Sequence, residues 1–279
     1  MNLLFLAAEE GGFHVPPLDE LFEFPPFLFE ESQYFAFNRT ALLYLVAAAI
    51  VSGLFVYAFR NPDVVPGKFQ GVIESIVEFI REQIVIQVIG PDGLRFVPLL
   101  TAIFMFVWVN NFFEVTPLVQ FPSTGRMAVP AFLAIVVWLI YLLVGMKAQG
   151  VVGFWKGALL GVEMPAAVRI IYIPVELAQL VIVRPLTLAI RLFANMMAGH
   201  ILLAVIFIAA NAFLIDVHSG LTDLVVAPEG PLGLLLGVVT AFAIGPAMVA
   251  FEIMVGALQA YIFTILTAVY IGGSLHPEH

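Results

Sequence analysis

Arg184 and Arg191 stand seven residues apart in RPLTLAIRLFANMMAGH (184–200), a stretch otherwise as apolar as a membrane span. A charge held at bilayer depth costs roughly 2.5–3.5 kcal/mol on insertion scales, so an ionisable residue kept there is a functional candidate. Nothing charged lies between Arg191 and Asp216, and only Arg184 and Glu176 interrupt the run back to Arg169. Arginine stays protonated in any protein environment, so Arg191 can serve as a fixed cation but hardly as a proton carrier. Glu114, Glu176, Glu252 and His200 are different. Carboxylates and imidazole are the side chains that pass protons within a membrane.

At about 100° per residue, Arg184, Arg191 and Asn195 share one helix face and His200 falls on the opposite side. Glu252, Gln259 and Tyr270 likewise share a face. The spacing predicts Arg191 facing a partner outside this chain while His200 turns inward towards another helix of the same chain. Other readings stay open. Arg191 could be held in a buried ion pair with Glu252 or Glu176, and His200 with Glu252 could be a hydrogen-bonded pair that only pins two helices. Glu114 could be an ordinary boundary residue, and Glu176 is equally a partner for Arg184 or a channel lining. Asn195 and Gln259 are common helix-to-helix hydrogen-bonding residues in membranes. Arg184 could snorkel or sit at a bend before Pro185. His14, His218, His276 and His279 read as loop or tail residues, and no metal site or cofactor is assigned.

The elements that must position these groups are membrane helices. The 279 residues are 62% hydrophobic and 11% charged, against about 25% charged in soluble domains. The absence of cysteine removes disulfides, thiol nucleophiles and cysteine metal sites. A net charge of -9 offers no basic surface for nucleic acid. There is no GxxxxGK(S/T) phosphate loop and no nucleophile–base pair, so the chain is not read as an enzyme by itself. The start, MNLLFLAAEE, has no basic n-region and is not read as a signal peptide.

Residues 1–38 are acidic and proline-rich and read as an extramembrane segment; 39–279 form the membrane domain. Ala41–Phe59, Phe96–Phe113 and Met127–Met146 each approach the roughly 20 residues that cross about 30 Å of hydrocarbon. Between the first two, 68–90 sets apolar residues at three-and-four spacing against Glu74, Glu78, Arg81 and Glu82, the pattern of an interfacial amphipathic helix. A solvated helix packed on its neighbours fits the same pattern. Pro165–Ile215 and Pro231–Leu275 are about twice a perpendicular span. Each is a re-entrant pair or one long tilted helix, and the lack of a polar turn cluster favours the latter. Pro174, Pro185 and Pro246 then mark bends or local breaks. The fold class is all-α and polytopic: five membrane-crossing helices, the last two (within 165–275) long and strongly tilted, plus one interfacial helix.

Arg60, Lys68, Arg81, Arg95, Lys147, Lys156 and Arg169 collect on alternate loops and their flanks, against Arg39 and Arg126 on the others. The positive-inside rule makes the first set cytoplasmic, the N-terminus external and the C-terminus cytoplasmic. Glu114, His200 and Glu252 then form an outer cluster and Glu176 an inner group, with Arg191 between them.

The block RPLTLAIRLFANMMAGH resembles the RP-x-S-L-x-x-R-L-F-x-N-M-x-A-G signature of subunit a of bacterial F-type ATP synthases. VWVNNFFE (107–114) and LQAYIFTILTAVYI (258–271) are similar to further blocks of that family. The resemblance implies the stator half of the rotary membrane motor in the bacterial plasma membrane. Its partners would be a ring of c subunits, the b-subunit peripheral stalk, other synthase subunits and lipid. Arg191 would be the essential arginine facing the ring, with Asn195 and Gln259 nearby, and nucleotide chemistry would lie on other subunits. Asn111, Glu114, His200 and Glu252 would line an outer proton half-channel and Glu176 an inner one, with Arg184, Asn195, Gln259 and Tyr270 in supporting positions. Many bacterial members carry the acid and the histidine of positions 200 and 252 the other way round. The inner glutamate of the family usually lies one residue nearer the arginine than Glu176 does. The acidic N-terminus resembles that of actinobacterial members. A secondary transporter or an ion channel subunit is the alternative, but transporters usually show internal repeats and none is found here.

Overall fold

The computed structural model describes residues 39–62, 65–116, 119, 126–160, 165–211, 214 and 231–275. The segment 1–38, the acidic residues Asp216, Asp223 and Glu229, and the C-terminal tail lie outside the described residues, and with them the readings that fall there.

Among the described residues, five helices are long and apolar enough to cross a membrane. The first, α1 (Arg39–Phe59), begins two residues before its expected start. α2 (Lys68–Ile80) runs on into a π-helical segment, Arg81–Ile89. A 3₁₀ turn, Pro91–Phe96, then leads into α3 (Val97–Val115). α4 (Ala128–Gln149) ends at Gly150, whose φ of 76° is one glycine adopts without the Cβ penalty. That turn releases a short apolar helix, α5 (Val151–Leu160), which spacing alone did not foretell.

Both over-long segments are continuous helices, not re-entrant pairs. The fourth span joins α6 (Ala166–Ala178), a π-helical stretch Gln179–Val183 and α7 (Arg184–Asn211). The fifth joins α8 (Pro231–Val239), a π-helical stretch Thr240–Ile244 and α9 (Gly245–Leu275). With 44 residues in Val168–Asn211 and 45 in Pro231–Leu275, each rod is close to 70 Å at about 1.5 Å per residue, so crossing about 30 Å of hydrocarbon requires a steep lean. Pro174 sits inside α6 without interrupting it, whereas Pro185 and Pro246 each follow a π-helical stretch by two residues. The proline ring crowds the carbonyl four residues back, and a wider turn relieves that clash.

α9 is the central post, packed on α3, α4, α7 and the π-helical end of α2; α7 also packs on α4, while α1 leans on α3. One core cluster joins Ile80, Ile84, Val85 and Ile89 to Leu100, Tyr141, Phe154, Leu180 and Ile271. A second joins Val107, Leu188, Ala189, Leu192, Ala260 and Phe263. Four hydroxyls inside the bundle are satisfied by their own helix: Thr101, Thr264, Thr267 and Ser274 each donate to the carbonyl four residues back at 2.8–2.9 Å.

The amphipathic reading of 68–90 holds in outline. Ile73, Ile80, Ile84, Val85 and Ile89 are buried, but Phe69 and Val72 on the expected oily face stay exposed.

The alternate connections fall at opposite ends of the bundle. Arg39 donates to the Val119 carbonyl, and Arg126 lies within electrostatic reach of Tyr44. At the other end Gln149 donates to the Ser274 carbonyl at 2.7 Å. There a Cβ on Gly272 would come within 3.2 Å of the Val88 carbonyl oxygen.

Candidate functional site

Arg191 projects from the outward surface of α7 and is exposed, while Leu188 and Leu192 beside it are fully inside. Its exposed companions on α7 are Leu186, Thr187, Ile190, Ala194 and Ala198. Among the described residues, ion pairs join Arg81 to Glu78 and Glu82, and Arg184 to Glu176; Arg191 is in none of them. The buried ion pair with Glu252 or Glu176 is therefore not the arrangement this chain adopts. His200 is turned to the opposite side and buried, as the spacing required.

Behind this surface, α3, α7 and α9 gather buried polar groups. Asn111, Glu114, His200, Glu252 and Gln259 are all buried. The Asn111 amide donates to the Gly256 carbonyl at 3.0 Å, fastening α3 to α9. A Cβ on Gly256 would stand 3.2 Å from that of Asn111, so the small residue lets the two helices meet. Glu252 lies within electrostatic reach of Glu114. A narrow recess between α3 and α9 is lined by Trp108, Asn111, Phe112, Glu252, Ile253 and Gly256. On the α7 side, the Glu252 carboxylate packs directly over Gly199, where any Cβ would collide with it. Glu252 thus stands between Glu114 and the residue preceding His200. Spacing did not single out Gly199; its signal was a glycine next to a buried histidine in an otherwise regular helix.

Orphaned polar atoms mark the same groups. Glu114 Oε1, Glu252 Oε2, Asn195 Nδ2 and Gln259 Nε2 are buried with no hydrogen-bond partner among the described residues, alongside Thr40 Oγ1 and Arg169 Nε. Each such atom costs about 1–3 kcal/mol. Four of the six belong to residues singled out for their chemistry, which fits groups kept for function and not for stability.

A second polar group lies on the other side of Arg191 along the same helix. Glu176 and Arg184 form an ion pair at 3.5 Å, with side chains 19% and 32% exposed. The Arg184 guanidinium sits 5.6 Å from the centre of the Tyr270 ring, and Tyr270 packs 5.8 Å from Tyr141. Arg184 is therefore paired and stacked, and Tyr270 joins this group instead of the one around Glu252, though both are on α9. Trp138 and Tyr141 of α4, which sequence reasoning passed over, both donate to the Leu180 carbonyl, at 3.0 and 2.6 Å.

Among the described residues, five apolar crossings, two of them of double length, with a cation in no ion pair on the outward face and carboxyl groups buried behind it, define a polytopic membrane protein. The ATP synthase A chain family model matches residues 41–272. An ATP synthase subunit a from Parafrankia sp. (strain EAN1pec) is 39% identical over 272 residues, covering 97% of this chain and 87% of that one. The Streptomyces lividans subunit a is 38% identical, covering 96% and 90%, and that of Rhodococcus erythropolis is 34% identical, covering 100% and 95%. The chain belongs to the ATP synthase subunit a family. It is accordingly a multi-pass bacterial membrane protein, a proton-translocating subunit of a multi-subunit complex whose catalysis resides on other chains.

Proposed function

We propose that this chain is the stator of the rotary motor, with Arg191 as the fixed cation that a ring of c subunits passes. The observation that carries this reading is the position of Arg191: exposed, in no ion pair among the described residues, and surrounded by apolar and small side chains on the outward face of α7. A rotor carboxyl group crosses lipid only when neutral. Beside a guanidinium its ionised form is favoured, so it gives up its proton before Arg191 and takes another after it. Asn111, Glu114, His200 and Glu252 form the outer half-channel that supplies protons, and Glu176, with Arg184 and Tyr270, lines the inner one. Asn195 and Gln259 keep amide hydrogen-bonding capacity beside the cation. Because Arg191 holds its own proton, the two paths do not join and proton flow is tied to rotation.

In this arrangement residues 1–38 are extracytoplasmic, 68–90 lie at the cytoplasmic interface, the tilted pair within 165–275 faces the ring and the C-terminus is cytoplasmic. The b-subunit stalk holds the assembly against torque. The absence of cysteine makes a direct test simple. A single Ala194→Cys substitution should form an oxidant-induced cross-link to a cysteine placed beside the mid-membrane acid of a two-span c subunit. Cross-linking from Ala194→Cys no greater than from a lipid-facing control, Leu45→Cys on α1, would remove the ring from this face.

The Gly199 cradle yields a further expectation. Gly199→Val must push the Glu252 carboxylate out of its seat, so ATP-driven proton pumping per assembled complex should fall by roughly tenfold or more. Unchanged pumping would show that the position of Glu252 is not critical.

A further inference from the structure

Glu176 and Arg184 meet at 3.5 Å although they are eight residues apart. On an unbroken α-helix eight residues overshoot two turns by roughly 80°, placing the two side chains on different faces. Seven residues miss two turns by only about 20°. The π-helical stretch Gln179–Val183 lies between them, with the Arg184 N–H bonded to the carbonyl of Gln179, five residues back. A π turn holds about one residue more than an α turn. The extra residue is taken up there, so Glu176 and Arg184 meet as though seven apart, and Arg191, another seven on, stays close to the same register.

That turn strands a backbone group. The Arg184 N–H that would have served the Leu180 carbonyl goes to Gln179 instead, and the next residue, Pro185, has no N–H to offer. Leu180 is 3% exposed, so water does not readily replace the donor. Trp138 Nε1 and Tyr141 Oη supply it, at 3.0 and 2.6 Å. In hydrocarbon a freed carbonyl must find such a neighbour. Tyr141, itself 1% exposed, also packs its ring on Tyr270, the residue under Arg184.

We propose that Gln179–Val183 is a one-residue register device that sets Glu176 and Arg184 in phase with Arg191, and that Trp138 and Tyr141 are positioning residues that hold it open through the Leu180 carbonyl. The inference rests on the roles given above to Arg191 and Glu176. Proline at 185 accounts for where a wide turn is tolerated, and the phase of Glu176 accounts for what it does.

The test uses the whole ATP synthase in inverted membrane vesicles, reading ATP-driven proton pumping per assembled complex, with failure to assemble scored as loss. Deleting Gln179, which is exposed, returns the stretch to α-helical register without moving Glu176 off the Arg184 face. It should keep pumping within roughly twofold of the parent, whereas deleting Ala204, in regular helix, turns everything beyond it by about 100° and should abolish it. The double variant Trp138→Phe, Tyr141→Phe should lose roughly tenfold, and adding the Gln179 deletion should restore most of that, because the Leu180 carbonyl then takes the Arg184 N–H four residues on. Purely structural aromatics would leave the triple variant worse than the double. A Gln179 deletion as damaging as that of Ala204, a silent double variant, or a triple variant no better than the double would each overturn the register device. Arg191→Ala in the same vesicles separates the two levels: if it still pumps, the underlying reading has failed, and if it is dead while the Gln179 deletion is also dead, only the register inference has.

Discussion

Replacing Arg191 by alanine should abolish proton-driven ATP synthesis in vesicles while the complex still assembles. Assembly should survive because Arg191 is exposed and the core beside it is made by Leu188 and Leu192; truncating an outward side chain leaves no cavity. Synthesis should fall by at least roughly a hundredfold, about 2.7 kcal/mol in coupling terms. Without the cation a rotor carboxyl group has no reason to ionise as it passes, and no barrier separates the two proton paths. Arg191→Lys should be nearly as damaging, because an ammonium in an apolar setting can release its proton and a guanidinium does not. Coupled synthesis at the parental rate in the alanine variant would refute the role of Arg191.

The second large effect concerns His200 and Glu252. Either His200→Leu or Glu252→Leu should slow proton entry by roughly tenfold, and the exchange His200→Glu with Glu252→His should recover part of the loss. The exchange is reasonable because both side chains are buried on facing helices and Gly199 leaves room for whichever group stands at position 252. Passive proton flux through the membrane sector after removal of the catalytic subunits is the direct readout. Flux unchanged by either single loss would make the pair a helix fastening only.

Much of the architecture was legible because hydrocarbon imposes a simple rule: about 20 apolar residues for a crossing, with backbone hydrogen bonds closed within the segment. The five spans, the continuity of the two long ones, the outward Arg191 and the inward His200 all followed from that rule and from helical phase. What escaped depends on contacts between helices. Gly199 reads as any glycine until Glu252 is seen lying over it. Trp138 and Tyr141 read as apolar-span aromatics until the Leu180 carbonyl is found stranded. Phase counting presumes a uniform turn, and the π-helical stretches break that presumption by about one residue each. For that reason a uniform count sets Glu176 and Arg184 on different faces although they meet at 3.5 Å.

The two double-length rods also change what bilayer thickness means to this protein. A helix just long enough to cross exposes its ends or stretches the lipid when acyl chains change length, whereas one with length to spare responds by altering its lean. With 44 and 45 residues the fourth and fifth spans have that slack, and the three shorter crossings do not. Shorter-chain lipids would lay the pair flatter while straining the others, so the angle between α7 and α4, more than any local side-chain geometry, is where lipid composition would register.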